Sequence, residues 1–145
     1  ALKFTLKGIH LGRIHLSKKW KYWLVRFRLK MKFDKISKSR SYSRLQHVFN
    51  KEERTFDYFL LGTVFNNMTG ELYSGFYEAG VIEANKSSGK KLIARGGTSL
   101  SSVSKVMKYN FYGLAFNSFL WRAENPYDNF LKILEEFKKN NLELE

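Results

Sequence analysis

Within KKWKYWLVRFRLKMKF, residues 18–33, Arg26, Arg28, Lys30 and Lys32 fall at alternate positions, and Trp20 and Tyr22 head the same series. Cations in such a row suit a chain of phosphates, and flat rings beside them suit stacked bases. In an extended chain successive side chains point to opposite faces. Trp23, Val25, Phe27, Leu29, Met31 and Phe33 then form an apolar face, and the four cations form a track on the other face, behind Trp20, Tyr22 and Leu24. Along a strand these charges stand about 6.6 Å apart, close enough to repel one another until an anion arrives. Lys18 and Lys19 precede the track, and Lys35, Lys38, Arg40 and Arg44 follow it, with Asp34 the one carboxylate among them.

The remaining candidates for chemistry are sparse. His10 and His15 lie five apart, on opposite faces of a continuous strand, and His47 stands alone; no carboxylate or cysteine sits at ligand spacing from them, so no metal site is expected. Asp57, Glu71, Glu78 and Glu83 are unpatterned and read as outward-facing strand positions. ANKSSGKK, residues 84–91, departs from a phosphate-binding loop at Ala84 and Lys91. YGLAFNSF, residues 112–119, agrees with the aromatic strand of an RNA-recognition motif at Gly113, Ala115, Phe116 and Phe119, but lacks the basic residue, the second aromatic and the valine. No cofactor and no small-molecule substrate is indicated.

The distribution of charge supports a binding surface. Residues 1–50 hold 9 Lys and 5 Arg against Asp34, whereas residues 51–145 hold 12 basic and 12 acidic residues, so the whole net charge of +13 sits in the first third. Solubility alone would be served by charge placed anywhere; a concentration of one sign points to a polyanion. The chain has no cysteine, which excludes disulfides, thiolate zinc sites and cysteine nucleophiles and leaves the redox compartment open; an intracellular or virion-internal protein is the expectation. No run approaches the roughly 20 apolar residues of a membrane span, and no signal-peptide pattern is seen. The first residue is Ala1, which leaves room for an upstream segment.

These residues must be held by a scaffold, and 145 residues suffice for one domain, 1–145, with no linker or repeat. Alternation in residues 1–16 reads as strand, turn, strand, and residues 20–33 as a long strand. SKSRSYSR, residues 37–44, reads as a loop. Ser43 and Gln46 stand at capping-box spacing before Leu45, Val48 and Phe49, which predicts a helix. TFDYFLLGTVF and ELYSGFYEAGVIEA read as strands of a hairpin turning at residues 66–70, with 85–89 as the next hairpin loop before KKLIA. Residues 98–109 fit a helix through Leu100, Val103 and Met107, weakened by four serines, with a strand as the alternative. Asn125, Pro126 and Asp128 predict a helix start, and Phe130, Ile133, Leu134 and Phe137 its apolar stripe, ended by Lys138 and Lys139.

The expectation is therefore an α+β domain, a mainly antiparallel twisted sheet or open β-barrel, with one internal helix and a C-terminal helix. Its expected role is a non-enzymatic nucleic-acid-binding protein, for RNA or single-stranded DNA. The alternative is a peripheral, matrix-like protein that self-associates and presents the same face to an anionic membrane surface; a homo-oligomer fits either role.

Overall fold

A computed structural model describes residues 8–12, 20, 23–24, 27–28, 31, 37–49, 56–66 and 69–142. Five strands form one sheet: β1 (Gly8–Leu11), β2 (Ser37–Tyr42), β3 (Tyr58–Leu61), β4 (Leu92–Arg95) and β5 (Gly113–Ala115). They lie in sequence order and every pair is parallel, with Leu11 opposite Arg40, Tyr42 opposite Leu61, Leu61 opposite Ala94 and Ala94 opposite Leu114. The expected antiparallel sheet is thus corrected to an α/β arrangement. Parallel neighbours cannot be joined by tight hairpins; each link must carry the chain back to the start of the next strand, usually through a helix.

That requirement explains the segments that alternation misassigned. Trp20, Trp23, Leu24, Phe27, Arg28 and Met31, the described residues between β1 and β2, are helical rather than extended. In sequence the apolar residues Trp20, Trp23, Leu24, Phe27 and Met31 recur at helical spacing, a period the same stretch satisfies as well as it satisfies a strand's. Trp23 and Phe27 stack there, with ring centroids 5.8 Å apart. Likewise, the second half of the expected strand at 71–84 lies in α1 (Glu78–Ser87), which buries Gly80, Val81 and Ala84. A trace of the hairpin survives as one antiparallel bridge between Phe65 and Leu72. Residues 85–89 form no hairpin loop, since Asn85 lies inside α1 and donates to the Val81 and Tyr109 carbonyls at 3.1 and 2.8 Å.

The expected loop at 37–44 is also corrected, since its first six residues are β2 and pair with β1 and β3, while the remaining helices follow the sequence. Leu45–Phe49 is helical, as a 3-10 turn with Leu45 and Val48 buried. The serines of residues 99–104 support helices instead of weakening them: Ser99 and Ser102 cap α2 (Leu100–Val103) reciprocally, and α3 (Lys105–Tyr109) follows. After β5 come α4 (Ser118–Trp121) and α5 (Pro126–Lys139). Asn125 accepts a hydrogen bond from the Tyr127 N–H at 3.1 Å, Pro126 takes the first turn, and Ile133 is buried. Asn125→Ala is expected to lower stability by about 1 kcal/mol through loss of this cap, measured by urea denaturation. An unchanged midpoint would show that α5 is held by packing alone.

One face of the sheet supplies the core. Tyr42, Phe59, Leu61, Leu92 and Ala94 pack with Leu45, Val48, Val81, Ala84, Val106 and Tyr109 from the turn and helices. Lys90 reaches into this layer, donating to the Val48 carbonyl at 2.6 Å and lying 5.0 Å over the Phe59 ring. Burial, assisted by the charge of Arg40, holds its ammonium below the usual lysine pKa. The other face carries His10, Ser39, Ser41, Tyr58, Leu60, Ile93 and Arg95, of which only Ser39 is fully buried.

Candidate active-site rim

In parallel α/β sheets ligands bind beyond the carboxyl ends of the strands, because there the loops converge while the strands stay rigid. Here that end is framed by Gly12, by Ser43 and Arg44, by Gly62 and Thr63, by Gly96 to Thr98, and by Phe116 and Asn117. Beyond β3 and β4 the two backbones stay joined, with Val64 N–H donating to the Arg95 carbonyl at 2.9 Å and Phe65 N–H to that of Gly96 at 3.0 Å. Such close approach excludes side chains. A Cβ on Gly97, whose φ is +70°, would collide with the Phe65 carbonyl oxygen. Thr98 closes the next gap by donating its hydroxyl to the Ala115 carbonyl at 2.9 Å.

On the more open sheet face the register brings three polar side chains together. His10 lies opposite Ser39. Its Nδ1 is 2.9 Å from Ser39 Oγ and its Nε2 3.0 Å from Ser41 Oγ. An imidazole against a hydroxyl is a pair able to hold or move a proton, and Ser41 is one residue short of the carboxyl end of its strand. Arg95, exposed at the end of β4, projects from the same face. Ser41 is level with Leu60 and Leu60 with Ile93, so Arg95 stands two strands across, about 10 Å, and two residues further toward the rim.

A cleft of about 670 Å³ opens beside the rim, between the 3-10 turn and residues 73–77. Arg44, Gln46, Phe49, Thr63, Tyr73 and Tyr77 are among its lining residues, and none of the described lining residues is a carboxylate.

Among the described residues, those singled out for binding fall on two different kinds of element, helix and strand, and in the loop after β2. Lys18, Lys19, Tyr22, Arg26, Lys30, Lys32 and Lys35 lie outside the described residues. Trp20 is helical and 87% exposed, and Arg28 is helical and exposed. Lys38 and Arg40 are half-buried on the helix-covered face of β2, where the Arg40 guanidinium sits 5.7 Å from the Tyr42 ring centre. Of the described members of the set, Arg44 lines the rim cleft. Ser39 and Ser41 were not among the expected site residues, although the alternation Ser37, Ser39, Ser41 against Lys38, Arg40, Tyr42 is a strand pattern with a hydroxyl face. Among the described residues no group of His, Asp and Glu is placed to hold a metal ion.

No protein-family model matches the chain, and no curated protein matches it in sequence. Solved structures do. Thiamine phosphate pyrophosphorylase from Pyrococcus furiosus superposes with a TM-score of 0.68 at 20% identity, over 97% of this chain and 63% of that one. The chain shares its fold. Thiamine phosphate pyrophosphorylase from Bacteroides thetaiotaomicron gives 0.61 at 23% identity, over 97% and 62%, and the native KDPGal structure 0.54 at 12%, over 73% and 50%. The chain therefore spans about three fifths of the two pyrophosphorylases.

The expected function is corrected with the fold. A non-enzymatic nucleic-acid-binding role, and its membrane-associated alternative, rested on a cationic strand face at 20–33, and the described residues there are helical. The parallel sheet is instead the fold that the chain shares with the two thiamine phosphate pyrophosphorylases.

Proposed function

We propose that this chain carries part of the active-site rim of an enzyme that acts on a small phosphorylated molecule, as the names of the thiamine phosphate pyrophosphorylases imply for those proteins. The observation that carries the reading is the placement of a hydroxyl–imidazole pair, Ser41 and His10, and a guanidinium, Arg95, on one sheet face beside the carboxyl end. Arginine binds phosphate oxygens through paired charge-assisted hydrogen bonds, a serine hydroxyl adds a neutral donor, and an imidazole supplies or removes a proton at that hydroxyl. The glycine backbone at 96–97 keeps the adjoining rim clear of side chains.

Calorimetric titration with inorganic pyrophosphate and with thiamine phosphate tests this. Binding is expected, weakened about tenfold or more in Arg95→Ala, since a hydrogen bond to a charged group contributes about 1.5–3 kcal/mol. The Arg95 carbonyl that pairs with Val64 is retained in that variant, so the fold is kept. Equal affinity of wild type and variant would remove Arg95 from the site, and no binding of either ligand would overturn the reading.

A further inference from the structure

α5 carries more apolar surface than its own domain covers. Tyr127, Phe130, Leu131, Ile133, Leu134 and Phe137 all lie on it, and of these only Ile133 is buried. A helix turns about 100° per residue, so Phe137 and Phe130 stand within about 60° of Ile133, and Leu134, Tyr127 and Leu131 about 100°, 120° and 160° round from it in the same sense. Phe130, Ile133, Leu134 and Phe137 line a groove of about 640 Å³ that α5 forms with β5 and α3; its described lining residues include neither Tyr127 nor Leu131. Tyr127 is 65% exposed and Leu131 39%. The row Tyr127, Leu131, Leu134 thus continues the apolar arc away from the domain, where only another body can cover it.

The charges beside the row indicate which body fits. Asp128 stands in the first turn of α5, and Lys138 and Lys139 in the last. Lys132 and Glu135 lie exposed between them, and Glu136 is engaged with Lys139 of the same helix at 3.6 Å. A second α5 laid antiparallel, about a two-fold axis level with Ile133, brings Asp128 of one protomer level with the partner's Lys138, and the symmetry makes that pair twice. Leu131 then falls within one residue of the partner's Leu134, and Lys132 within one residue of the partner's Glu135. The two helix dipoles oppose each other. A parallel pair would instead set Asp128 against Asp128 and Lys138 against Lys138.

We propose that this row is the contact of a two-fold homodimer, in which α5 of each protomer packs antiparallel on α5 of the other. Tyr127, Leu131 and Leu134 form its centre, and the two Asp128–Lys138 pairs close its ends. Such a contact is self-complementary, as a two-fold interface must be. One pair of 14-residue helices is at the low end of specific interfaces, roughly 1,200 Å² or less in total, so the dimer is expected in the micromolar range. The pairing does not depend on what the rim binds.

Sedimentation equilibrium of the chain, from low to several hundred micromolar, is expected to show monomer and dimer in exchange. Leu131→Lys places a charge at the centre of the contact and is expected to weaken the dimer about tenfold or more, while the urea midpoint of the monomer is unchanged because the position is exposed. Asp128→Lys and Lys138→Asp each turn two attractions into repulsions and are each expected to weaken it about fivefold; the double variant is expected to restore it. Residues 128 and 138 are about 15 Å apart along one helix, too far to repair each other within a protomer. A wild-type chain that stays monomeric throughout would overturn the dimer and leave the row to another occupant, such as a strand–helix unit of further polypeptide. A dimer unmoved by Leu131→Lys, or single reversals that the double variant does not restore, would overturn the antiparallel α5 contact.

Discussion

Phe59→Ala is expected to destabilise the protein by about 3–5 kcal/mol, a large share of the roughly 5–15 kcal/mol that holds a typical domain folded. Phe59 is 1% exposed at the centre of the packed sheet face. Its ring stacks on Tyr42 with centroids 5.0 Å apart and tilts against Phe56 at 5.6 Å. The Lys90 ammonium lies over the same ring. Truncation thus removes the transfer free energy of the ring, leaves a cavity that rigid strands on either side cannot close, and strips a partly buried cation of one of its aromatic partners. Phe59→Leu fills more of the space and is expected to cost less than half as much. Urea denaturation followed by circular dichroism gives both values; equal stabilities of the alanine and leucine variants would show that cavity size matters little here.

Gly97→Ala is expected to have an effect of similar size by a different route. The residue sits at φ +70°, a region that costs an L-residue about 1–2 kcal/mol. Its new methyl group would also meet the Phe65 carbonyl oxygen, which cannot withdraw without disturbing the join between the chain beyond β3 and the chain beyond β4. The total should exceed the conformational term alone. Because the same join shapes the rim, the variant is also expected to lose affinity for pyrophosphate when compared at a temperature where it is still folded. Gly89→Ala is the control, since Gly89 has φ +64° but no atom within 4 Å of the added methyl. If the two variants lose stability equally, the close approach of the two backbones contributes nothing beyond φ.

Features set by neighbours in the chain are legible in the sequence. The start of α5 needs Asn125, Pro126 and Asp128 within four consecutive residues, and its end needs Lys138 and Lys139. Those determinants act within one helical turn, so they survive any tertiary arrangement. The apolar runs that form β3 and β4 are visible for the same reason, as are the 3-10 turn at Leu45–Phe49 and the concentration of positive charge in residues 1–50.

Strand direction is not legible, because it depends on how the chain travels between strands and not on the strands' own residues. The stretch around Trp20 to Met31 satisfies a period of two and a period of 3.6 together, so its pattern does not choose between strand and helix. Residues 78–87 are drawn into an expected hairpin by the turn that precedes them, although only the Phe65–Leu72 bridge of that hairpin forms.

The sequence by itself determined the caps, the strongest apolar segments and where the charge lies, since each follows from residues adjacent in the chain. Only the tertiary structure decided that the sheet is parallel and that His10 meets Ser39 and Ser41, which are 29 and 31 residues away. A proton-handling pair is made by strand register, and register is a property of two segments that neither one encodes alone.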